Sequence, residues 1–291
     1  MNTSKGGLKL KIGLIYDRIS WNEKQIIKAA AKKKIDLNLI DAKRLSLTAS
    51  DCNSDLQEYD VFLQRSVSFF RGLYLSAILE NKGLRVINSF QTSQICGNKL
   101  LTTLALTKAN IPSPKTIVSF AEEPALESLA VVGYPAVIKP LVGSWGRLVC
   151  LVNDETTATS VLEHKEMLGP LHKIHYVQEK IPSKRDIRTF VIGDDVVAAM
   201  YRIPNGGEWR TNIARGGTAK ICEVTQEIKE LSLKAAKVVK GGILGIDLLE
   251  DKEGLVVNEI NHIVEFKGLM ETTFVNIPEL ILEYVIEKAK N

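Results

Sequence analysis

Three polar residues near one another in the chain could hold a divalent cation. Glu259 and Asn261 alternate within Leu255-Val256-Val257-Asn258-Glu259-Ile260-Asn261, a run that predicts a strand. Side chains two apart on a strand share a face, so this carboxylate and this amide converge. Asp247 sits in a second β-like run, Gly245-Ile246-Asp247-Leu248-Leu249, which an antiparallel pairing would lay alongside the first. Two carboxylates and an amide oxygen are hard ligands that suit Mg2+ bound to substrate phosphates. Alone, the triplet reads equally well as polar residues at strand ends, and upstream residues decide between the two.

Pro135-Ala136-Val137-Ile138-Lys139-Pro140 is an apolar strand ending in a lysine, followed by the loop Leu141-Val142-Gly143-Ser144-Trp145-Gly146-Arg147. Glycines let a backbone approach an anion and present N–H groups to it, and Lys139 adds a point charge. The GxxxxGK[ST] pattern of a P-loop is absent, so this is a different kind of phosphate hairpin. Trp145 also reads as a packing anchor between lobes. Downstream, Tyr176-Val177-Gln178-Glu179-Lys180-Ile181 ends a strand in polar groups that could meet an adenine edge, and Arg185-Asp186-Ile187-Arg188 follows. Arg202, Arg210, Asn212 and Arg215 cluster with two glycine pairs. Arginines offer planar forks to carboxylate and phosphate oxygens, whereas Arg210 reads as a solvated loop residue.

These groups need a scaffold. Lys9 to Tyr16, Ile35 to Ile40, Tyr59 to Leu63 and Leu84 to Ile87 read as strands, with helices over Asn22 to Lys34 and Val67 to Asn81. That alternation predicts a small parallel α/β lobe. After the first strand stands Tyr16-Asp17-Arg18-Ile19-Ser20, without the glycine-rich turn of a dinucleotide site, which argues against NAD. One long helix is expected from Asn88-Ser89 through Asn110, ended by Ile111-Pro112-Ser113-Pro114. From Lys115 to about Tyr176 the order is strand, helix, strand, glycine loop, strand, helix. The rest is strand-rich until helices at Gln226 to Lys240 and Ile277 to Lys290. The expected domains are 1–97, 98–176 and 177–291.

With 291 residues, 45% of them hydrophobic, the chain can bury a real core. No apolar run is long enough to span a membrane, and Met1 to Lys11 lacks the pattern of a secretory signal. Cys52, Cys96, Cys150 and Cys222 are far apart with no CxxC pair, which fits a reducing cytoplasm. His172 and His175 lack a third nearby ligand and read as ordinary residues. Lys plus Arg exceed Asp plus Glu by 38 − 34 = 4, without a dense basic block, so nucleic acid is not an expected partner.

The ordered set Lys99, Lys139 with the Gly143–Gly146 loop, Gln178-Glu179, Asp186-Ile187-Arg188, Asn212, Asp247, Glu259 and Asn261 resembles the ATP-grasp superfamily. These are carboxylate–amine ligases that clasp ATP between two α+β lobes, here behind an N-terminal α/β lobe, and the resemblance covers nearly the whole chain. Gly143-Ser144-Trp145-Gly146-Arg147-Leu148-Val149, Glu208-Trp209-Arg210-Thr211-Asn212 and Asn258-Glu259-Ile260-Asn261-His262, then Glu265-Phe266-Lys267, are similar to the LysX/ArgX branch of the RimK-like ligases. Those enzymes join the α-amino group of 2-aminoadipate (LysX) or glutamate (ArgX) to the C-terminal glutamate of the small acidic carrier protein LysW. After Glu-Phe-Lys, LysX types place Asn followed by Thr or Ala, and ArgX types place Gly-Phe or Gly-Tyr. Here Gly268 matches ArgX, Leu269 matches neither, and Asn261-His262 is closer to LysX. The subtype stays open, with dual use among the options.

The resemblance implies ATP with its adenine edge on Gln178, Glu179, Lys180 and Ile181, and its phosphates on Lys99 and Lys139. Asp186 belongs to the same nucleotide set. Gly143, Ser144, Trp145, Gly146 and Arg147 would form a lid. Asp247, Glu259 and Asn261 would hold Mg2+, and Arg188, Arg202 and Asn212 would steady phosphates, the acylphosphate or substrate carboxylates. His262, Glu265, Phe266, Lys267, Gly268 and Leu269 would contact the amino acid. A LysW-like carrier, an amino-acid substrate and a homodimer or homotetramer are also implied, with neither nucleic acid nor membrane. The alternatives are a RimK-like ligase that glutamylates a ribosomal protein tail or a cofactor, and a nucleotide sensor without turnover.

Overall fold

The computed structural model describes residues 10–51, 56–211 and 216–290, and three sheets organise them. The N-terminal lobe contains β1 (Lys11–Tyr16), α1 (Trp21–Lys32), β2 (Asp36–Asp41), β3 (Val61–Gln64), α2 (Phe69–Asn81) and β4 (Val86–Ile87). Its strands are all parallel in the order β2-β1-β3-β4, as the alternation predicts. Ser20 starts α1 with a reciprocal cap: its hydroxyl accepts from the Asn22 N–H, and the Glu23 carboxylate accepts from the Ser20 N–H at 2.9 Å. One face of this sheet packs Phe62, Leu75 and Leu79 together. The other face shares a continuous core with Phe190, Met200 and Phe266 from the C-terminal lobe.

The expected long helix is in fact two, α3 (Phe90–Cys96) and α4 (Lys99–Lys108). Asn98 leaves the helical region at φ −127° and ψ 114°, and its side chain accepts from the N–H groups of Leu100 and Leu101, starting α4 afresh. Gly97 keeps helical backbone at φ −76°, and its missing side chain leaves room for the Phe69 ring, which lies 1.8 Å from where a Cβ would stand. The break sets Lys99 at the first turn of α4, where its N–H donates to the Leu141 carbonyl at 2.9 Å.

The central lobe runs β5 (Thr116–Ser119), α5 (Glu122–Val132), β6 (Ala136–Lys139), β7 (Cys150–Val152), α6 (Glu155–Glu166) and β8 (His175–Glu179). Its antiparallel sheet has the order β5-β8-β6-β7. Strand β8 crosses the expected boundary at 176/177: its pairing with β5 and β6 keeps Val177 to Glu179 in the central sheet.

The C-terminal lobe contains β9 (Asp186–Ile192), β10 (Asp195–Ile203), β11 (Thr218–Ile221), α7 (Gln226–Val238), β12 (Ile243–Asp251), β13 (Gly254–Asn261), α8 (Lys267–Thr273) and α9 (Ile277–Lys290). Its strands form an antiparallel sheet in the order β11-β10-β9-β12-β13. Helix α9 returns to the N-terminal lobe, burying Ile281, Leu282 and Val285 in the core that also holds Ile26, Ala29 and Ala30 of α1. Lys32 at the end of α1 and Lys33 just after it pair with Glu279 and Glu283 of α9 at 3.1 and 2.5 Å, and the apolar contact beneath them supplies most of the stabilisation. Among the described residues no helix is long and apolar enough to cross a membrane.

Candidate active site

Antiparallel pairing of β12 with β13 places Asp247 opposite Glu259 and Gly245 opposite Asn261. The register then slips, because Leu248 pairs with Val257 and Asn258 is the extra residue. A bulge turns consecutive side chains toward one side, which simple alternation forbids. Asn258 accepts from Lys139 Nζ at 3.0 Å, while Glu259 meets Lys99 Nζ at 3.1 Å. Sequence reasoning missed Asn258 as a site side chain, since a bulge leaves no mark on a period-two pattern.

Lys139 ends β6 with 8% exposure, and its other partner is the Gln178 carboxamide oxygen at 2.5 Å. Burial pushes the Lys139 ammonium down to about 8, against the pull of Glu259. The Gln178 amide nitrogen donates to Thr116 Oγ1 and the Tyr176 hydroxyl at 3.0 and 3.1 Å. The Gln178 side chain is here engaged by Lys139, Thr116 and Tyr176. Glu179 accepts from the Lys115 N–H at 2.5 Å, Lys180 Nζ lies 5.8 Å from the Trp209 ring, and Ile181 is buried. Lys99 Nζ also donates to the Gly143 carbonyl at 3.0 Å, which ties α4 to the lid.

On the floor of the C-terminal sheet, Arg188 makes a two-point bond to Asp247. Arg202 grips Asp186 at 2.7 and 2.6 Å and reaches Asp247 at 2.9 Å. The Thr211 hydroxyl donates to Asp186 as well. Burial alone would raise the Asp247 carboxyl, but Arg188 and Arg202 hold it below the usual carboxylate range. Asp186, expected at the nucleotide, is 3% exposed and instead supports Arg202 from behind.

The donor set fits a divalent cation that brings its own phosphate oxygens. Glu259, Asn261 and Asp247 line one cavity of about 340 Å3 together with Lys99, Arg188, Arg202 and the lid residues Gly143, Ser144, Trp145, Gly146 and Arg147. The Asn261 amide nitrogen is buried without a hydrogen-bond partner among the described residues. Asp247 already accepts from two arginines and would share its remaining lone pairs with the ion. Among the described residues no three His, Cys, Asp or Glu side chains cluster as a metal site, so a cation here also relies on the Asn261 amide and on ligand oxygens.

The segment expected to meet the amino acid divides in two. Glu265, Lys267 and Gly268 line the cavity of about 340 Å3, and His262 lines a neighbouring one of about 280 Å3. Burial and Arg65 push the His262 imidazole down to about 4, so it stays neutral at pH 7. Phe266 and Leu269 have no exposure and belong to the core. Phe266 stands edge-on to Trp21 and Phe190, and its N–H donates to the Asn22 side chain at 2.9 Å. Both residues anchor the wall instead of touching its contents.

Trp145 and Leu148 take left-handed backbone at φ 56°, and the Arg147 guanidinium sits 4.9 Å from the Trp145 ring. Arg210, read from sequence as solvated, donates to the carbonyls of Gly146 and Val149 at 3.2 Å each and pairs with Glu208 at 2.9 Å. That pairing holds the Glu208 carboxyl down to about 2. Arg210 therefore latches the lid to the C-terminal lobe. Asn212 and Arg215 lie outside the described residues.

A RimK-like ATP-grasp domain model matches residues 96–285, and a LysX preATP-grasp domain model matches residues 12–95. The chain is 39% identical to a glutamate–LysW ligase ArgX of Sulfurisphaera tokodaii, over 96% of this chain and 99% of that one. It is 38% identical to an alpha-aminoadipate–LysW ligase LysX of Saccharolobus solfataricus, over 93% of this chain and 98% of that one. These identities do not separate the two amino acids. The crystal structure of a RimK domain ATP-grasp protein from Sphaerobacter thermophilus superposes with a TM-score of 0.80 at 24% identity, over 95% of this chain and 99% of that one.

Proposed function

This chain belongs to the RimK-like ATP-grasp family, and we propose that it joins the α-amino group of 2-aminoadipate, glutamate or both to the C-terminal glutamate of a small acidic LysW-type carrier protein, in lysine or arginine biosynthesis. Its class follows from the family: an ATP-dependent acid–amino-acid ligase that forms ADP and phosphate. The observation that supports the reading most is the convergence of Lys99, Arg188 and Arg202 with Glu259 and Asp247 on one cavity under a glycine lid.

In this reading the carrier's terminal carboxylate oxygen attacks the γ-phosphorus of ATP, and the bond from that phosphorus to ADP breaks. The acylphosphate has a good leaving group, which a bare carboxylate lacks. The amine then attacks the acyl carbon, phosphate departs, the amine gives up a proton and an amide remains. Catalysis is positioning plus charge neutralisation, so no nucleophilic side chain is required. Arg188 and Arg202 are fixed in advance by Asp247 and Asp186, so they can face developing charge without reorganising. Lys99 and Lys139 can exchange Glu259, Gln178 and Asn258 for phosphate oxygens. Asp247, Glu259 and Asn261 would hold Mg2+, which when bound offsets charge on the phosphates. Arg210, by holding the lid carbonyls, keeps out water that would hydrolyse the acylphosphate. A homodimer or homotetramer and a cytoplasmic location belong to the same proposal.

The test is ADP release with MgATP and a LysW-type carrier, offering glutamate and 2-aminoadipate separately and weighing the carrier by intact mass. A gain with one amino acid assigns the subtype, and gains with both make the enzyme bifunctional. ATP binding without a gain from either would overturn the acceptor assignment in favour of another RimK-like acceptor.

A further inference from the structure

The cavity of about 280 Å3 adjoins the phosphate chamber and shares Glu259, Asn261 and Glu265 with it. Its other wall comes from two loops of the N-terminal lobe, carrying Arg18 after β1 and Ser66 after β3. Asp17 fastens these loops together, accepting from the N–H groups of Val67 and Ser68 at 2.9 and 3.0 Å and from Arg71 at 2.8 Å.

Donors on this cavity are uncommitted. Ser66 is 1% exposed, and its hydroxyl has no hydrogen-bond partner among the described residues. The same holds for the buried Asn261 amide nitrogen. The Arg18 guanidinium makes no ion pair or hydrogen bond among the described residues. Neighbouring Arg65, by contrast, is spent on Glu23 at 2.9 Å and on the Val264 carbonyl at 3.1 Å. Buried donors without acceptors are costly, so a ligand that supplies acceptors gains by meeting them. Of the carboxylates at the junction, Glu259 is neutralised by Lys99, while Glu265 makes no ion pair among the described residues and suits an ammonium. Donors at one end and a carboxylate at the junction match a zwitterion bearing a second carboxylate.

We propose that Arg18, with Ser66 and Asn261, binds the side-chain carboxylate of the incoming acidic amino acid, an inference that rests on the ligase reading above. The N-terminal lobe then selects the substrate together with the segment His262 to Lys267. Arg18 is exposed and long, so it can follow a carboxylate one methylene nearer or further, which suits dual use of glutamate and 2-aminoadipate.

The experiment compares the full-length wild type, Arg18→Ala and Arg18→Lys in steady-state ligation with MgATP and carrier. In Arg18→Ala the KM for the amino acid rises about tenfold or more, while those for ATP and carrier move less than about twofold. Arg18→Lys recovers part of the loss, and the preference for glutamate over glutamine narrows by about tenfold in Arg18→Ala. An unchanged amino-acid KM with an unchanged glutamate-to-glutamine ratio would overturn the proposal. A rise confined to the carrier's KM would also overturn it, by assigning the cavity to the carrier's tail. Absence of any adduct with the wild type would remove the ligase reading, and this inference with it, whereas normal wild-type ligation with an indifferent Arg18→Ala removes this inference alone.

Discussion

The cleft presents positive charge in two ways. On the C-terminal sheet, the partly buried Arg188 and the buried Arg202 are bound two-pronged to Asp247 and Asp186, so their positions are set before any ligand arrives. On the lid side, Lys139 rests on the neutral oxygens of Gln178 and Asn258, and Lys99 on the partly exposed Glu259. The first arrangement gains fixed geometry at the cost of desolvating four charges together. The second leaves cations that a polyphosphate can recruit by displacing weaker partners. Preset charge suits a transition state, and exchangeable charge suits a substrate that must enter and leave.

Arg202→Leu tests the preset half most severely. It strands Asp186 and Asp247 without their shared cation, so urea unfolding is expected to show a loss of about 3–5 kcal/mol, with ligation abolished. A loss under about 1 kcal/mol would mean the aspartates find other partners and the lattice is not a unit. Glu259→Gln sharpens the division, because it removes a charge that pairs with Lys99 and lines the same cavity as Arg188 and Arg202, while keeping the side chain's shape. Ligation should fall by about 10²–10³-fold with the unfolding midpoint unmoved, and wild-type turnover would sink the cation assignment.

Lys139→Ala probes the exchangeable half: nucleotide titration should show ATP binding weakened by about 10–100-fold. The smallest effect is in pH. With its pKa lowered from 10.5 to about 8, Lys139 is charged below that pH and loses its proton as pH rises through it. ATP affinity should therefore decline above about pH 8 and stay level below it. Lys139→Arg should flatten that decline, and an equally steep one in the variant would place the titrating group elsewhere.

Much of this was legible in the residues. The parallel lobe follows from apolar runs alternating with helices, and alternation around Glu259 foretold its face and its pairing with Asp247. What was hidden depends on distant or three-dimensional partners. Arg210 meets carbonyls 64 and 61 residues upstream, which no local pattern reports. Gly97 makes room for the Phe69 ring, a neighbour far upstream in the chain that no local pattern reports. Phe266 and Leu269 sit in a segment chosen by its resemblance, and resemblance does not say which side chains turn inward. The N-terminal wall with Arg18 and Ser66 carries no motif at all.

The return of α9 onto α1 also has a consequence for the timing of biosynthesis. Lys32 and its partner Glu279 are 247 residues apart, so a ribosome moving at about 5–20 residues per second separates them by roughly 12–50 seconds. Through that interval Ile26, Ala29 and Ala30 wait for Ile281, Leu282 and Val285 to cover them. The first lobe to be made is thus among the last to be finished. Limited proteolysis of ribosome-bound chains stalled before Ile277 should find α1 open to cleavage, and protection at that stage would show that the lobe closes without α9.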